Sequence, residues 1–129
     1  MSRNTDVVER LIAGWEKRDV DAIMRCFTED ATYVNVPLEP VHEGTEAIRA
    51  AVEGFLSMGD EIEFIVHHTS ENPETGVVMN ERTDRFLIRG DWMEAPVAGV
   101  FELREGRICA WRDYFDASEF TRFQAQLES

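Results

Sequence analysis

The sequence predicts an α+β domain in which helices pack against one side of a curved β-sheet. Apolar residues recur at helical spacing up to Phe27, and segments of alternating apolar and polar residues follow one another from Glu61 onward. Helices first and then mostly adjacent strands favour this fold class. A length of 129 residues fits one domain, residues 1–129, with one hydrophobic core.

Three helices are predicted before the main run of strands, and a fourth at the end of the chain. The first has apolar residues at positions i, i+3, i+4 and i+7, namely Val8, Leu11, Ile12 and Trp15. Asn4 or Thr5 suits its N-cap, a second helix begins at Asp19, and a third begins at Thr45. The fourth is predicted to be capped by Ser118 and to carry the apolar residues Phe120, Phe123 and Leu127.

Five strands are predicted from alternation and from turn residues at their ends. They are residues 31–36, 61–68, 77–88, 92–103 and 108–115. The segment between Pro37 and the third helix, Leu38 to Gly44, is predicted as a loop. The last three strands are separated only by short turns, so we expect them to form consecutive antiparallel pairs.

Charge and composition exclude several classes of partner. Thirteen basic against twenty-six acidic residues give a net charge of −13, which disfavours nucleic acids and anionic membrane surfaces. No apolar run approaches the roughly 20 residues of a membrane span, and the N-terminus lacks a signal-peptide pattern, so we expect a cytoplasmic protein. His67 and His68 face opposite ways on a strand, and no histidine has metal-ligand spacing, so no metal is predicted. A neutral small molecule is the partner least affected by the charge.

Strand 77–88 carries two opposite charges on one face. Side chains alternate along a strand, so Arg82 and Asp84 point the same way, beside Val78 and Phe86. Burying a guanidinium and a carboxylate among apolar neighbours is costly unless they pair. An ion pair at the rim of the sheet is the simpler interpretation of this strand taken alone.

Strand 108–115 adds a second carboxylate. Asp113 shares its face with Cys109, Trp111 and Phe115. A structural alternative is that Asp113 accepts hydrogen bonds from a loop. Consecutive antiparallel strands would instead bring it near Arg82 and Asp84. Two carboxyl groups, one neutral and one ionised, could then act together as a general acid and a general base.

Tyr33 and Asn35 share one face of strand 31–36. Both could be structural, because a phenol can fill the end of a sheet and an amide can cap a turn. They are also groups suited to holding a water molecule by its lone pairs and hydrogens.

Three segments together resemble the limonene epoxide hydrolase family: residues 33–38, residues 81–84 and residues 111–116. The resemblance runs over nearly the whole chain and implies the cone-shaped fold of nuclear transport factor 2, a curved mixed sheet packed by N-terminal helices around a deep apolar pocket. By resemblance, Asp113 is the general base on water, Asp84 is the general acid, and Arg82 bridges them. Tyr33 and Asn35 help Asp113 to hold the water.

The same resemblance implies a small hydrophobic epoxide as substrate, water as co-substrate, no cofactor, and a homodimer with strand 92–103 at its interface. From strand faces and family-like positions, the substrate-binding residues are predicted to be Ile12, Trp15, Leu38, Phe55, Met58, Phe86, Val97 and Phe115. The segment around His42 and the hairpin around Gly90 depart from the family pattern.

Two other functions fit the same fold. A ketosteroid isomerase-like or polyketide cyclase-like enzyme needs one base and hydrogen-bond donors to an enolate oxygen, so an arginine joining two carboxylates would be unexpected there. A non-catalytic carrier of small ligands has no need of ionisable groups in its pocket.

Overall fold

A computed structural model describes residues 3–128, with the side chains of residues 39, 119, 120, 123 and 126–128 outside the description. The helices are α1 (Arg3–Glu16), α2 (Val20–Met24), α3 (Gly44–Leu56) and α4 (Ala117–Glu128). The strands are β1 (Phe27–Asn35), β2 (Leu38–Glu43), β3 (Glu61–Asn72), β4 (Val77–Ile88), β5 (Asp91–Arg104) and β6 (Arg107–Tyr114).

The six strands form one sheet in the order β2-β1-β6-β5-β4-β3. β1 and β6 run parallel, and the other neighbouring strands run antiparallel. The predicted antiparallel succession of β4, β5 and β6 is therefore confirmed. The core lies between the sheet and the helices, where Leu11, Trp15, Ile48 and Trp111 are almost wholly buried. The α+β prediction, with a curved mixed sheet, is confirmed.

The sequence missed one strand, because residues 38–43 form β2 rather than a loop. Pro40 argued against a strand, since proline cannot donate to a ladder of backbone hydrogen bonds. β2 is an edge strand, where one side of the backbone has no partner strand and proline is tolerated. The sheet also extends further than predicted, with β1 beginning at Phe27 and β3 reaching Asn72.

Two predicted helix caps were wrong. α1 already begins at Arg3, so Asn4 and Thr5 lie within its first turn. α4 begins at Ala117, and the carboxylate of Asp116 accepts hydrogen bonds from the backbone N–H and the hydroxyl of Ser118. Asp116 therefore caps this helix, as expected of an aspartate at the N-cap position. The predicted apolar side chains of α4, Phe120, Phe123 and Leu127, lie outside the described residues.

The register of the central strands determines which side chains meet. Asn80 of β4 lies opposite Gly99 of β5, and Gly99 lies opposite Asp113 of β6. The same face of β4 continues to Arg82 and Asp84. Within residues 3–128, no helix is long and apolar enough to cross a membrane.

Candidate active site

The guanidinium of Arg82 joins the two aspartates in a buried cluster. Its Nε and Nη2 donate to Asp84 at 2.9 Å each, and its Nη1 and Nη2 donate to Asp113 at 3.3 and 2.8 Å. Arg82 is only 1% exposed, so the interpretation as an ion pair at the sheet rim does not hold. A buried charge of this kind is tolerated only when its donors are paired, and bidentate contacts to two carboxyl groups meet that need.

Gly99 makes room for this bridge. Arg82 and Asp113 lie on strands two apart in the sheet, about 10 Å in backbone separation, with β5 between them. A Cβ atom at Gly99 would lie 2.6 Å from Nη1 of Arg82 and 3.0 Å from Oδ1 of Asp113. Only a residue without a side chain lets the guanidinium cross the middle strand.

Asp113 receives one donor more than Asp84 does. Its Oδ1 accepts from Nε1 of Trp111 at 2.7 Å, in addition to the two hydrogen bonds from Arg82. Trp111 is itself held between aromatic rings and stacks on Tyr33 with ring centroids 4.3 Å apart. Because hydrogen bonds from N–H donors favour the ionised form of a carboxyl group, Asp84 has fewer such contacts to oppose its protonation.

The pKa of Asp84 is raised from its ordinary value of 3.8 to about 6. Burial is the main cause, since it penalises the charged carboxylate, and the charge of Asp113 adds to it. Arg82 acts in the opposite direction and limits the rise. Asp84 therefore releases its proton much closer to neutral pH than an exposed aspartate does.

An apolar cavity opens onto this cluster. Both carboxyl groups line it, together with Tyr33 and Asn35. The rest of the lining is mainly aromatic and aliphatic: Trp15, Phe55, Met58, Phe64, Phe86, Ala95, Val97 and Phe115. The structure therefore brings six of the eight predicted substrate-binding residues and four of the five predicted polar residues to one cavity. Arg82, the fifth, lies behind the carboxyl groups.

Two residues predicted to bind substrate lie elsewhere among the described residues. Ile12 faces a separate cavity between α1 and β3, which Asn80 also borders. Leu38 lies on the edge strand β2, opposite Asn35, and is outside the lining of the main cavity. Ile12 belongs to the helical stripe that packs into the core. Its spacing identified the buried face of α1 without showing which part of that face the cavity reaches.

Tyr33 and Asn35 sit beside Asp113 through the parallel pairing of β1 with β6. Tyr33 lies opposite Trp111 and Asn35 opposite Asp113, and Nδ2 of Asn35 donates to the Tyr33 hydroxyl at 3.2 Å. Burial, followed by the charge of Asp113, raises the pKa of Tyr33, so its hydroxyl keeps its proton. The phenol can therefore donate one hydrogen bond into the cavity, close to Asp113.

Four residues of the site were not predicted from the sequence. Asn80 and Trp111 each lie two positions before a predicted site residue, so strand alternation places them on the same face. Phe64 packs its ring 5.1 Å from the Arg82 guanidinium, a cation–π contact from β3. The alternation signal was present for these three. The role of Gly99 depends on register across three strands, which the sequence does not reveal.

The raised pKa of Asp84 predicts a change in stability with pH. The folded protein holds this proton more tightly than the unfolded chain, so the proton stabilises the fold. This stabilisation is complete below pH about 4 and is lost as the pH rises through about 6. The difference between the ordinary pKa of Asp84 and its pKa in the fold corresponds to on the order of 3 kcal/mol of stability. Urea unfolding at about pH 4 and about pH 8 should show wild type losing stability relative to Asp84→Asn, whose side chain stays neutral. Parallel stability curves for the two proteins would contradict this assignment.

The fold and site together define a class: a cone-shaped α+β protein whose apolar pocket ends at two carboxyl groups joined by an arginine. Residues 2–126 match the family model described as the limonene-1,2-epoxide hydrolase catalytic domain. The chain belongs to this family.

Individual relatives agree with this result. Epoxide hydrolase EphG of Mycobacterium tuberculosis is 31% identical over 109 residues, which cover 84% of this chain and 70% of that protein. The solved structure of an M. tuberculosis LEH-like epoxide hydrolase has a TM-score of 0.78 at 25% identity, covering 96% of this chain and 90% of that chain. An NTF2-like protein of unknown function from Burkholderia pseudomallei has a TM-score of 0.83 at 18% identity, covering 95% and 98% of the two chains, and shows the fold alone.

Proposed function

We propose that this protein is an epoxide hydrolase that adds water to a small hydrophobic epoxide and releases a vicinal diol. The observation that carries the proposal is a single buried arginine holding two carboxyl groups with unequal numbers of donors at the end of an apolar cavity. Membership of the family and the similarity to EphG support the same activity.

In this mechanism Asp113 is the general base and Asp84 the general acid. Asp113 takes a proton from water while the water oxygen forms a bond to one epoxide carbon. The C–O bond of that carbon breaks, and the leaving oxygen takes the proton of Asp84. A carboxyl group with a pKa of about 6 suits this donation near neutral pH. The proton must then return from Asp113 to Asp84 before the next turnover.

Tyr33 and Asn35 would hold the attacking water. Both line the cavity, and Asn35 lies opposite Asp113 in the strand pairing. The Tyr33 hydroxyl accepts from Asn35 and keeps its own proton available to donate. A water held by these groups and by Asp113 would have its lone pair directed into the cavity, where positioning contributes to rate.

The lining of the cavity supports a proposal for the substrate class. Most lining side chains are apolar and face a pocket whose polar groups lie at one end. We infer a compact hydrophobic epoxide, cyclic or terpene-like, with its oxygen toward Asp84. Measurement of diol formation from a panel of cyclic and aryl epoxides tests the proposal, with Asp113→Asn protein as control. Absence of diol across the panel would contradict it.

Experiments can distinguish the proposed epoxide hydrolase from two other functions. An isomerase or cyclase would exchange the acidic proton of a ketone substrate with solvent and would not open epoxides. A carrier would bind such molecules and release them unchanged. The Arg82 bridge favours hydrolysis, because enolate chemistry needs one base and a carrier needs none.

We expect the oxygen of water to enter the diol directly. An alternative route would use a carboxylate as nucleophile and form an ester, which a base-activated water would then hydrolyse. In a single turnover with enzyme in excess in ¹⁸O-labelled water, direct attack places the label in the first diol formed. Unlabelled diol in that first turnover would show that the new oxygen comes from a carboxylate, and the one-step mechanism would be wrong.

We also propose a homodimer formed through the outer face of the sheet. That face exposes several apolar side chains, namely Ile65, Met79, Trp92, Ala98 and Tyr114. Closed two-fold dimers are the commonest oligomers. Light scattering should give twice the chain mass of 14.8 kDa, and Met79→Glu should reduce it to the monomer value. Ala50→Glu on the exposed surface of α3 is the control, and a monomeric wild type would refute the proposal.

The cytoplasmic location stays a prediction from the sequence.

A further inference from the structure

Asn80 contacts the arginine of the cluster from the side opposite Asp84. It lies on β4, two residues before Arg82 and on the same face. Its side chain is buried, and its Oδ1 accepts a hydrogen bond from Nη1 of Arg82 at 3.0 Å. Turning the amide over would place its NH₂ group against the guanidinium N–H, so the oxygen must face Arg82.

Asn80 accounts for the one guanidinium donor that the aspartates do not take. Arg82 has five N–H groups in a rigid plane. Two are donated to Asp84 and two to Asp113, as described above. The fifth, on Nη1, goes to Asn80. Every donor of the buried guanidinium therefore has an acceptor, and three side chains together fix its plane.

We propose that Asn80 is a positioning residue that holds the Arg82 guanidinium in the rotation at which it bridges both carboxyl groups, and that its neutral amide keeps a third negative charge out of the cluster. This inference deepens the proposed hydrolase function and rests on it. Without the Asn80 oxygen, one buried N–H loses its partner and the plane can turn toward either carboxyl group. The hydrogen bonds to Asp84 and Asp113 would then no longer form together.

The neutrality of Asn80 matters because of the charges around it. Arg82 and Asp84 face it from its own strand, and Asp113 faces the cluster from β6. From β1 the proton-bearing hydroxyl of Tyr33 faces the same carboxyl groups. Glu9 of α1 lines the second cavity, which Asn80 borders from the other side. On β5 the residue opposite Asn80 is Gly99, which has no ionisable group.

When Asp84 is protonated, the positive charge of Arg82 is matched by the negative charge of Asp113, so the cluster as a whole is neutral. Asparagine and aspartate have nearly the same shape, and an aspartate at position 80 would keep the acceptor for Nη1 while adding a negative charge. Arg82 would then be shared among three carboxylates, and like charges at this distance favour protonation. The Nδ2 of Asn80 has no hydrogen-bond partner among the described residues, so replacing the amide by a carboxylate would break no hydrogen bond there.

Two variants of Asn80 separate the positioning role from the charge role. For Asn80→Ala we expect kcat for epoxide opening to fall about 10- to 100-fold with KM changed by less than about twofold, because the bridge is misplaced and the apolar lining is intact. For Asn80→Asp we expect a shift in the alkaline side of the pH profile, where kcat falls as Asp84 loses its proton. The pH at which kcat has fallen by half on that side should rise by about one unit or more. Asn72→Asp adds the same charge at the exposed C-terminal end of β3 and should leave both quantities unchanged.

Titration of ¹³C-labelled aspartate carboxyl groups by NMR gives a measurement that does not depend on turnover. In Asn80→Asp the midpoints of the buried carboxyl groups should move to higher pH relative to wild type and Asn72→Asp. Unchanged midpoints would refute the charge role, and folded Asn80→Ala with wild-type kcat would refute the positioning role. If wild type opens no epoxide but the midpoints still move, the hydrolase proposal fails while the inference about the cluster stands.

Discussion

Replacing Asp113 or Asp84 by asparagine is expected to reduce diol formation by about 10²–10⁴-fold while leaving the protein folded. Asparagine keeps the size of the side chain and its capacity for hydrogen bonds. Asp113→Asn removes the group that takes the proton of water, and Asp84→Asn removes the proton needed by the leaving oxygen. The two effects should not add in the double variant, because the groups act in one step. Initial rates of diol release, with circular dichroism as a check of folding, measure the loss.

Arg82→Lys tests whether the bridge itself matters. Lysine keeps the positive charge but has a single nitrogen, which cannot reach both carboxyl groups and Asn80 in the geometry of the guanidinium plane. We expect a loss comparable to that of the aspartate variants. A folded Arg82→Lys protein or aspartate variant with a near wild-type rate would remove that residue from the proposed mechanism.

Gly99→Ala is expected to eliminate measurable hydrolysis, although the change adds one methyl group. The new Cβ would lie 2.6 Å from Nη1 of Arg82 and 2.8 Å from Oδ1 of Asn80, closer than Cβ atoms approach other atoms in proteins. The cluster is buried on a rigid sheet, so relief requires Arg82 to leave its position. Overpacking of this kind costs about 1–3 kcal/mol of stability. Diol formation and the midpoint of urea unfolding measure the two consequences.

Gly54→Ala is the matched control for this substitution. Gly54 lies in α3, and a Cβ there would meet no atom within 4 Å beyond its chain neighbours and the backbone of its own helix. Alanine favours a helix by about 1 kcal/mol over glycine, so this variant should be as active as wild type and slightly more stable. Equal activity of Gly99→Ala and Gly54→Ala would show that the space above Gly99 is not needed for the reaction.

Strand periodicity predicted from sequence which charged residues of the candidate site share a face. Arg82 and Asp84 share a face because they are two residues apart on a strand, and hairpin succession brought Asp113 to the same region. What periodicity could not supply was register. Asn80, Gly99 and Asp113 lie level across three strands, and that alignment decides that a glycine must occupy the middle position.

The errors in the fold and in the cavity have a similar origin. Pro40 has a local preference against strands, yet the edge position of β2 removes the conflict. Ile12 and Leu38 were assigned to the cavity from their faces and family-like positions, but a cavity is bounded by the distances between elements. Those distances depend on how α1 and β2 pack against the sheet, which local sequence patterns do not encode.

The contact between Trp111 and Asp113 provides an optical signal. The indole N–H donates to the carboxylate that we propose as the base, while its ring stacks on Tyr33 and lies 6.0 Å from Trp15 at 80°. Protonation of Asp113 changes the charge at the end of this indole, so its fluorescence should follow the state of the base. Closely packed aromatic rings also give near-ultraviolet circular dichroism, which disappears when their packing is lost. The protein thus contains its own spectroscopic probe of the candidate active site, with no label attached.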